Sequence, residues 1–154
     1  HGSAIYQTDA YTFRSGLGAT AVLNWEITGR NSEPIPAIQK RMAEYKTLRP
    51  YFYGDYYPLS DSRNYTRDNV WLAYQLHRPE QQDGIVLAFR RAGNQQESLH
   101  VTWRGLSPEK TYSLEYSDYG LQVTRSGREL MEGMDLTIPH KPGSLLIRYR
   151  ALNE

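Results

Sequence analysis

Near residue 70 the chain changes its hydrophobic period, and that change bounds what it can fold into. Ahead of it, Ile35, Ile38, Met42, Tyr45 and Leu48 recur at helical spacing and form one apolar stripe. Behind it, the beat is every second residue. Val70, Leu72, Tyr74 and Leu76 open the series, followed by Ile85, Leu87 and Phe89, then Leu99, Val101 and Trp103. Tyr112, Leu114 and Tyr116 come next, then Leu121 and Val123, then Met134, Leu136 and Ile138, and Leu145, Ile147 and Tyr149 close it. Side chains along a strand point alternately to opposite faces, so these are seven short strands. Gly, Pro, Asn, Asp or Ser turns separate them, as in Pro79–Gly84. The pattern predicts a mainly β fold, an antiparallel β-sandwich of about seven or more strands, each sheet with one wet side. His77 and His100 fall on the polar phase and are expected at the surface.

The N-terminal third reads differently. Residues 1–18 read as loop, punctuated by Gly2, Ser3, Gly16 and Gly18. Ala19 to Trp25 is a short apolar run with little alternation, which suits a strand buried on both faces; periodicity alone leaves a buried helical turn open. A turn at 28–34 leads to a helix at about 35–48, with Asn31 and Ser32 as caps and Pro50 as the stop. Lys40, Arg41, Glu44 and Lys46 form its charged side. Residues 51–69 are Tyr-rich and irregular, a connector. One strand is not a sheet, so a single strand–helix unit cannot bury its own apolar surface; it reads as the last βα unit of something larger.

Charge excludes some partners. Eighteen Lys and Arg against 17 Asp and Glu leave a net charge of +1, with no block of like charge, so neither nucleic acid nor a membrane is expected. No apolar run is long enough to span a bilayer. No signal-peptide pattern opens the chain, which favours the cytoplasm. There is no cysteine, which excludes disulfides and thiolate chemistry.

Chemistry-bearing motifs are few. His1, His77, His100 and His140 show no metal-ligand spacing. No GxSxG elbow, GxGxxG or P-loop occurs, so neither a metal nor another cofactor is implied. Glycosidases work with two carboxylates, and Asp9, Glu26 and Asp55 lie in the first third, but their spacing does not pair them. The 13 Tyr and 3 Trp suit half-buried strands and also sugar stacking, with sheet filling the commoner use.

Several segments carry a resemblance. Asp9-Ala10-Tyr11-Thr12-Phe13-Arg14-Ser15 resembles the Asp-Pro-Tyr-x-Phe-Arg-Ser stretch before the last barrel strand of bacterial family-36 glycoside hydrolase homologues, with Ala10 where Pro is usual. Arg49-Pro50-Tyr51-Phe52-Tyr53-Gly54-Asp55-Tyr56-Tyr57-Pro58-Leu59 is similar to their barrel-to-sandwich joint. Trp71–Arg78, Pro79–Gly84 and Ala88–Arg91 resemble the first hairpin of their sandwich, and Ser126–Leu130 resembles a loop before its final strands.

The resemblance implies the C-terminal portion of an α-galactosidase-like enzyme. Residues 1–49 would be the remnant of a (β/α)₈ barrel, 50–69 the connector and 70–154 the sandwich. Enzymes of this type retain anomeric configuration with an Asp nucleophile and an Asp acid/base, both on earlier barrel strands. No catalytic residue therefore maps onto this chain, which is expected to be inactive alone. If 19–25 is the eighth strand, Asn24, Trp25 and Glu26 sit at the barrel's active rim. Trp25 is then the first candidate for substrate contact by stacking, with packing at the domain boundary as its alternative. Asp9 and Arg14 are the others, although Arg14 better suits a structural pair with a carboxylate. Tyr51, Tyr53, Tyr56 and Tyr57 suit domain packing better than ligand binding. The implied partners are a galactoside-type carbohydrate and the rest of the barrel, and exposed apolar surface would be the route to oligomers. Two rivals are a carbohydrate-binding sandwich using Trp71 or Trp103, and an interaction domain docking on a separate barrel fragment.

Overall fold

A computed structural model describes residues 9–21, 35–61, 63 and 66–152, and the chain divides into two compact units, His1–Tyr53 and Gly54–Glu154. In the first unit, α1 spans Ala10–Ser15 and α2 spans Ile35–Leu48, followed by a 3₁₀ turn at Arg49–Tyr53. Helix α1 corrects the expectation of loop over 1–18. The Asp9 side chain accepts from the Thr12 N–H at 2.9 Å, which satisfies a donor the first turn leaves open. Phe13 is fully buried and packs with Tyr45, Met42, Leu17 and Ala21. The stripe of α2 is buried at Tyr45 and Leu48, whereas Ile35 stays exposed. Of the expected strand at 19–25, residues 22–25 lie outside the described residues, as do Asn31 and Ser32.

The second unit is mainly β. A six-stranded antiparallel sheet has the order β1-β2-β3-β8-β5-β6, with β1 at Asp55–Pro58, β2 at Trp71–Arg78 and β3 at Asp83–Arg90. Its other members are β5 at Thr111–Tyr116, β6 at Leu121–Ser126 and β8 at Gly143–Ala151. Strands β4, Ser98–Val101, and β7, Met134–Thr137, pair as a second, two-stranded sheet. All seven alternating segments are strands; β1 adds an eighth, in the stretch that read as irregular.

The smaller sheet and the short helix α3, Gly127–Glu132, contribute to one core with a face of the larger sheet. That core unites Trp71, Ala73, Val86, Ala88, Leu145, Ile147, Tyr149, Tyr112 and Leu114 with Val101, Trp103, Leu130, Leu136 and Ile138. Ser126 caps α3 in a reciprocal box: its hydroxyl oxygen accepts from Glu129 N–H at 3.2 Å, and Glu129 Oε2 accepts from Ser126 N–H at 2.7 Å. A helix therefore stands where the resemblance suggested a loop. Leu130 is buried, and its carbonyl accepts from Trp103 N–H at 3.0 Å.

One expectation fails in an informative way. The larger sheet has no wet side at its centre: in β3 the residues Gly84 to Arg90 are all buried, and in β8 Gly143 to Ile147 are too. In β2 and β3 the phases read as core-facing, Leu72/Tyr74/Leu76 and Ile85/Leu87/Phe89, lie on the face away from the smaller sheet. The core takes Trp71, Ala73, Val86 and Ala88 instead. The centre of the sheet is apolar on both faces, and polar alternation survives only at the β5–β6 end, as in Thr111, Glu115, Gln122 and Thr124.

Trp103 is 1% exposed and meets the Tyr149 ring edge-on at 4.9 Å. Replacing it with Ala removes a large buried side chain from a packed core and should cost about 3–5 kcal/mol. Urea unfolding of Trp103→Ala checks this; a loss below about 1 kcal/mol would contradict the placement.

Candidate functional site

The candidates for substrate contact separate in the structure. Trp25, with Asn24 and Glu26, lies outside the described residues. Asp9 is spent as the cap of α1. Arg14 is 1% exposed and donates to Glu44 through two bonds, Nε to Oε1 at 2.8 Å and Nη2 to Oε2 at 3.1 Å. Arg41 adds a bond to Glu44 Oε2 at 3.2 Å. A buried guanidinium held by a forked pair to one carboxylate is a clamp between α1 and α2. Glu44, assigned to the charged side of the helix, is the partner that sequence spacing did not reveal. The pair joins residues 30 positions apart.

A second polar cluster lies wholly inside the β unit. His77 was expected at the surface and is fully buried. Its strand phase faces the core, where its neighbours in register are Asp55 on β1 and Gly84 on β3. Gly84 leaves the space that the Tyr149 phenol fills, because a Cβ there would collide with the Tyr149 ring and the Leu76 carbonyl. Gly105, at φ +74°, closes against the ring edge: an added Cβ would stand 3.0 Å from His77 Cδ2 and 3.1 Å from the Tyr57 hydroxyl.

The hydrogen bonds form one chain. Gln75 grips the Arg104 backbone, accepting from its N–H at 2.9 Å and donating to its carbonyl at 2.8 Å. Its remaining amide hydrogen goes to the Tyr149 hydroxyl oxygen at 2.8 Å. The Tyr149 O–H is then free to donate to His77 Nδ1 at 2.9 Å. His77 Nε2 is buried and makes no hydrogen bond among the described residues, and neither does the buried Trp103 Nε1. Burial lowers the His77 pKa, against the opposing pull of Asp55, Asp83 and nearby backbone acceptors. Burial raises the Tyr149 pKa, with the Gln75 bond pulling it back.

Both rings are sealed from solvent, so the chain of bonds cannot reach a substrate and cannot serve as a general base. Among the described residues no group of three or more His, Asp or Glu could hold a metal, and no helix is long and apolar enough to cross a membrane. Trp71 and Trp103, the stacking candidates of the carbohydrate-binding rival, are 5% and 1% exposed and present no platform.

No protein-family model matches the chain, and no curated protein matches it by sequence. Solved structures do. The galactosidase domain of the α-galactosidase–sucrose kinase AgaSK superposes with a TM-score of 0.69 at 21% identity, over 98% of this chain and 22% of that one. This chain has the fold of a segment of the α-galactosidases of glycoside hydrolase family 36. A substituted AgaA from Geobacillus stearothermophilus in complex with raffinose matches at 0.64 and 19% identity, over 86% of this chain and 18% of its own. AgaB from the same organism gives 0.61 and 21%, over 86% and 18%. The chain thus spans roughly a fifth of the length of the galactosidases it matches.

Two outcomes follow from this geometry. Glu44→Gln removes the forked carboxylate from the buried Arg14; because Glu44 is partly exposed, the loss should be about 2–3 kcal/mol, below that of a fully buried pair. Thermal unfolding with Glu44→Gln and the Arg14→Met/Glu44→Leu double variant reads it, and a silent single variant would refute the clamp. Second, the unfolded imidazole binds a proton near pH 6.5 that the folded ring resists. Stability from His77 is complete above that pH and falls as the solution is acidified towards pH 5. Urea midpoints between pH 7 and 5 should decline more steeply in the parent than in His77→Gln; parallel slopes would show that the ring titrates freely.

Proposed function

We propose that this chain is the C-terminal, non-catalytic portion of an α-galactosidase-like glycoside hydrolase, its sandwich supporting a catalytic barrel. The observation that carries the reading is the lopsided match: nearly all of this chain aligns with about a fifth of a galactosidase. The residues point the same way. The described titratable clusters are structural, and the central strands are apolar on both faces. The core with the smaller sheet occupies one face, and Leu76, Ile85, Leu87, Phe89 and Leu146 on the other are buried as well, which makes the sheet a packed layer and not a binding platform. The related AgaA structures were determined with raffinose, stachyose and 1-deoxygalactonojirimycin, which points to galactosides as the substrate class of the parent. On this reading 1–49 ends the barrel and 50–69 connects it to the sandwich. Trp25 is the residue to test for stacking on substrate, whereas Asp9 and Arg14 position the segment before the last strand without touching sugar.

The purified chain should leave 4-nitrophenyl α-galactoside at the buffer rate, and linking it to a family-36 barrel lacking its own C-terminal domain should restore soluble, active enzyme. Hydrolysis by the chain alone that scales with protein and survives repurification would overturn the proposal.

A further inference from the structure

The β unit holds a cleft of about 220 Å³, bounded by residues 60–61 and 69–71 on one side and 94–99 on the other. Its lining combines amide and hydroxyl groups with apolar side chains. Asn94 is 3% exposed; its Oδ1 accepts from Gln96 N–H at 2.8 Å, while its Nδ2 makes no hydrogen bond among the described residues. Ser60 Oγ accepts from Ala73 N–H at 2.9 Å, which leaves its O–H to be donated. The exposed side-chain amides of Asn69 and Gln96 are likewise uncommitted. Asp61 is also at the cleft, with its carboxylate occupied by Arg63, which holds its pKa down to about 2. The apolar wall is Val70, Leu99 and Trp71, the last fixed by its Nε1–H bond to the Gln96 carbonyl at 3.1 Å.

Free donors and acceptors lie here beside an apolar wall, with no cationic side chain in the lining. Such a set suits an uncharged ligand carrying several hydroxyls and disfavours phosphate or carboxylate. The volume is below that of a drug-sized pocket and admits one small ring. We infer that this cleft is a surface subsite for a single unit of a neutral sugar, bound by amide and hydroxyl hydrogen bonds. Trp71 is too buried to stack, so affinity is weak, with a dissociation constant on the order of millimolar. The inference does not rest on the galactosidase reading. It is tested on the chain itself, so either can fail while the other stands.

Titration of the chain with methyl α-galactoside, methyl α-glucoside and raffinose, followed by amide chemical shifts, decides it, with sodium sulfate as the anionic comparison. The expected result is saturable binding of at least one sugar, no saturation by sulfate, and shifts concentrated at 60–61, 69–71 and 94–99. Asn69→Ala and Gln96→Ala, both at exposed side chains, should each weaken binding about 2–10-fold, one neutral hydrogen bond apiece, at an unchanged melting temperature. No saturable sugar binding, or binding indifferent to both substitutions, overturns the inference, and saturation by sulfate alone would make the cleft an anion site.

Discussion

The pairing of β3 with β8 holds the β unit together. It joins Asp83–Arg90 to Gly143–Arg150 in unbroken antiparallel register. Ile85, Val86, Leu87, Ala88, Leu145, Leu146 and Ile147 in this ladder are all at most 1% exposed. Each large apolar side chain there contributes about 1.5–3 kcal/mol of burial, and the ladder satisfies backbone groups that water cannot reach. Strand β2 pairs onto one side of this spine and β5 onto the other, so the remaining strands of the larger sheet are placed by reference to it. Because the partners are some sixty residues apart in sequence, the ordering entropy of the intervening chain must be met before the pairing forms.

A sheet buried on both faces leaves little room for chemistry, and the polar groups in it behave accordingly. Arg90, 3% exposed, donates to the carbonyls of Ile138 at 2.8 Å and Pro139 at 2.7 Å and so ties β3 to the segment after β7. Gln75, Tyr149 and His77 form a buried chain of hydrogen bonds that ends at the His77 ring. Polar groups committed in this way make a scaffold specific without making it catalytic.

Much of this was legible from residue order. The seven alternating segments are strands because a period of two needs only local information. Helix α2 ends at Leu48, where Pro50, which has no N–H to give to the α ladder, lets the chain tighten into the 3₁₀ turn Arg49–Tyr53. The Arg14 pairing was anticipated in kind, though its partner was not. Short elements escaped. Strand β1 is four residues that include a proline, and it exists through its ladder with β2. Helices α1 and α3 have six residues each, too few to show a stripe, although Asp9 and Ser126 with Glu129 were readable caps.

Sequence alone determined the class of each long element, the absence of thiol and cofactor motifs, and the charge balance that disfavours nucleic acid. These depend on neighbours within a few positions. Tertiary structure decided which face of β2 is the core, why His77 is inside, and which amides surround the cleft at Asn94. When both faces of a strand are buried, alternation no longer marks inside from outside, and the choice passes to whatever packs above and below. Such contacts join residues dozens of positions apart, 72 in the case of His77 and Tyr149, and no local pattern encodes them.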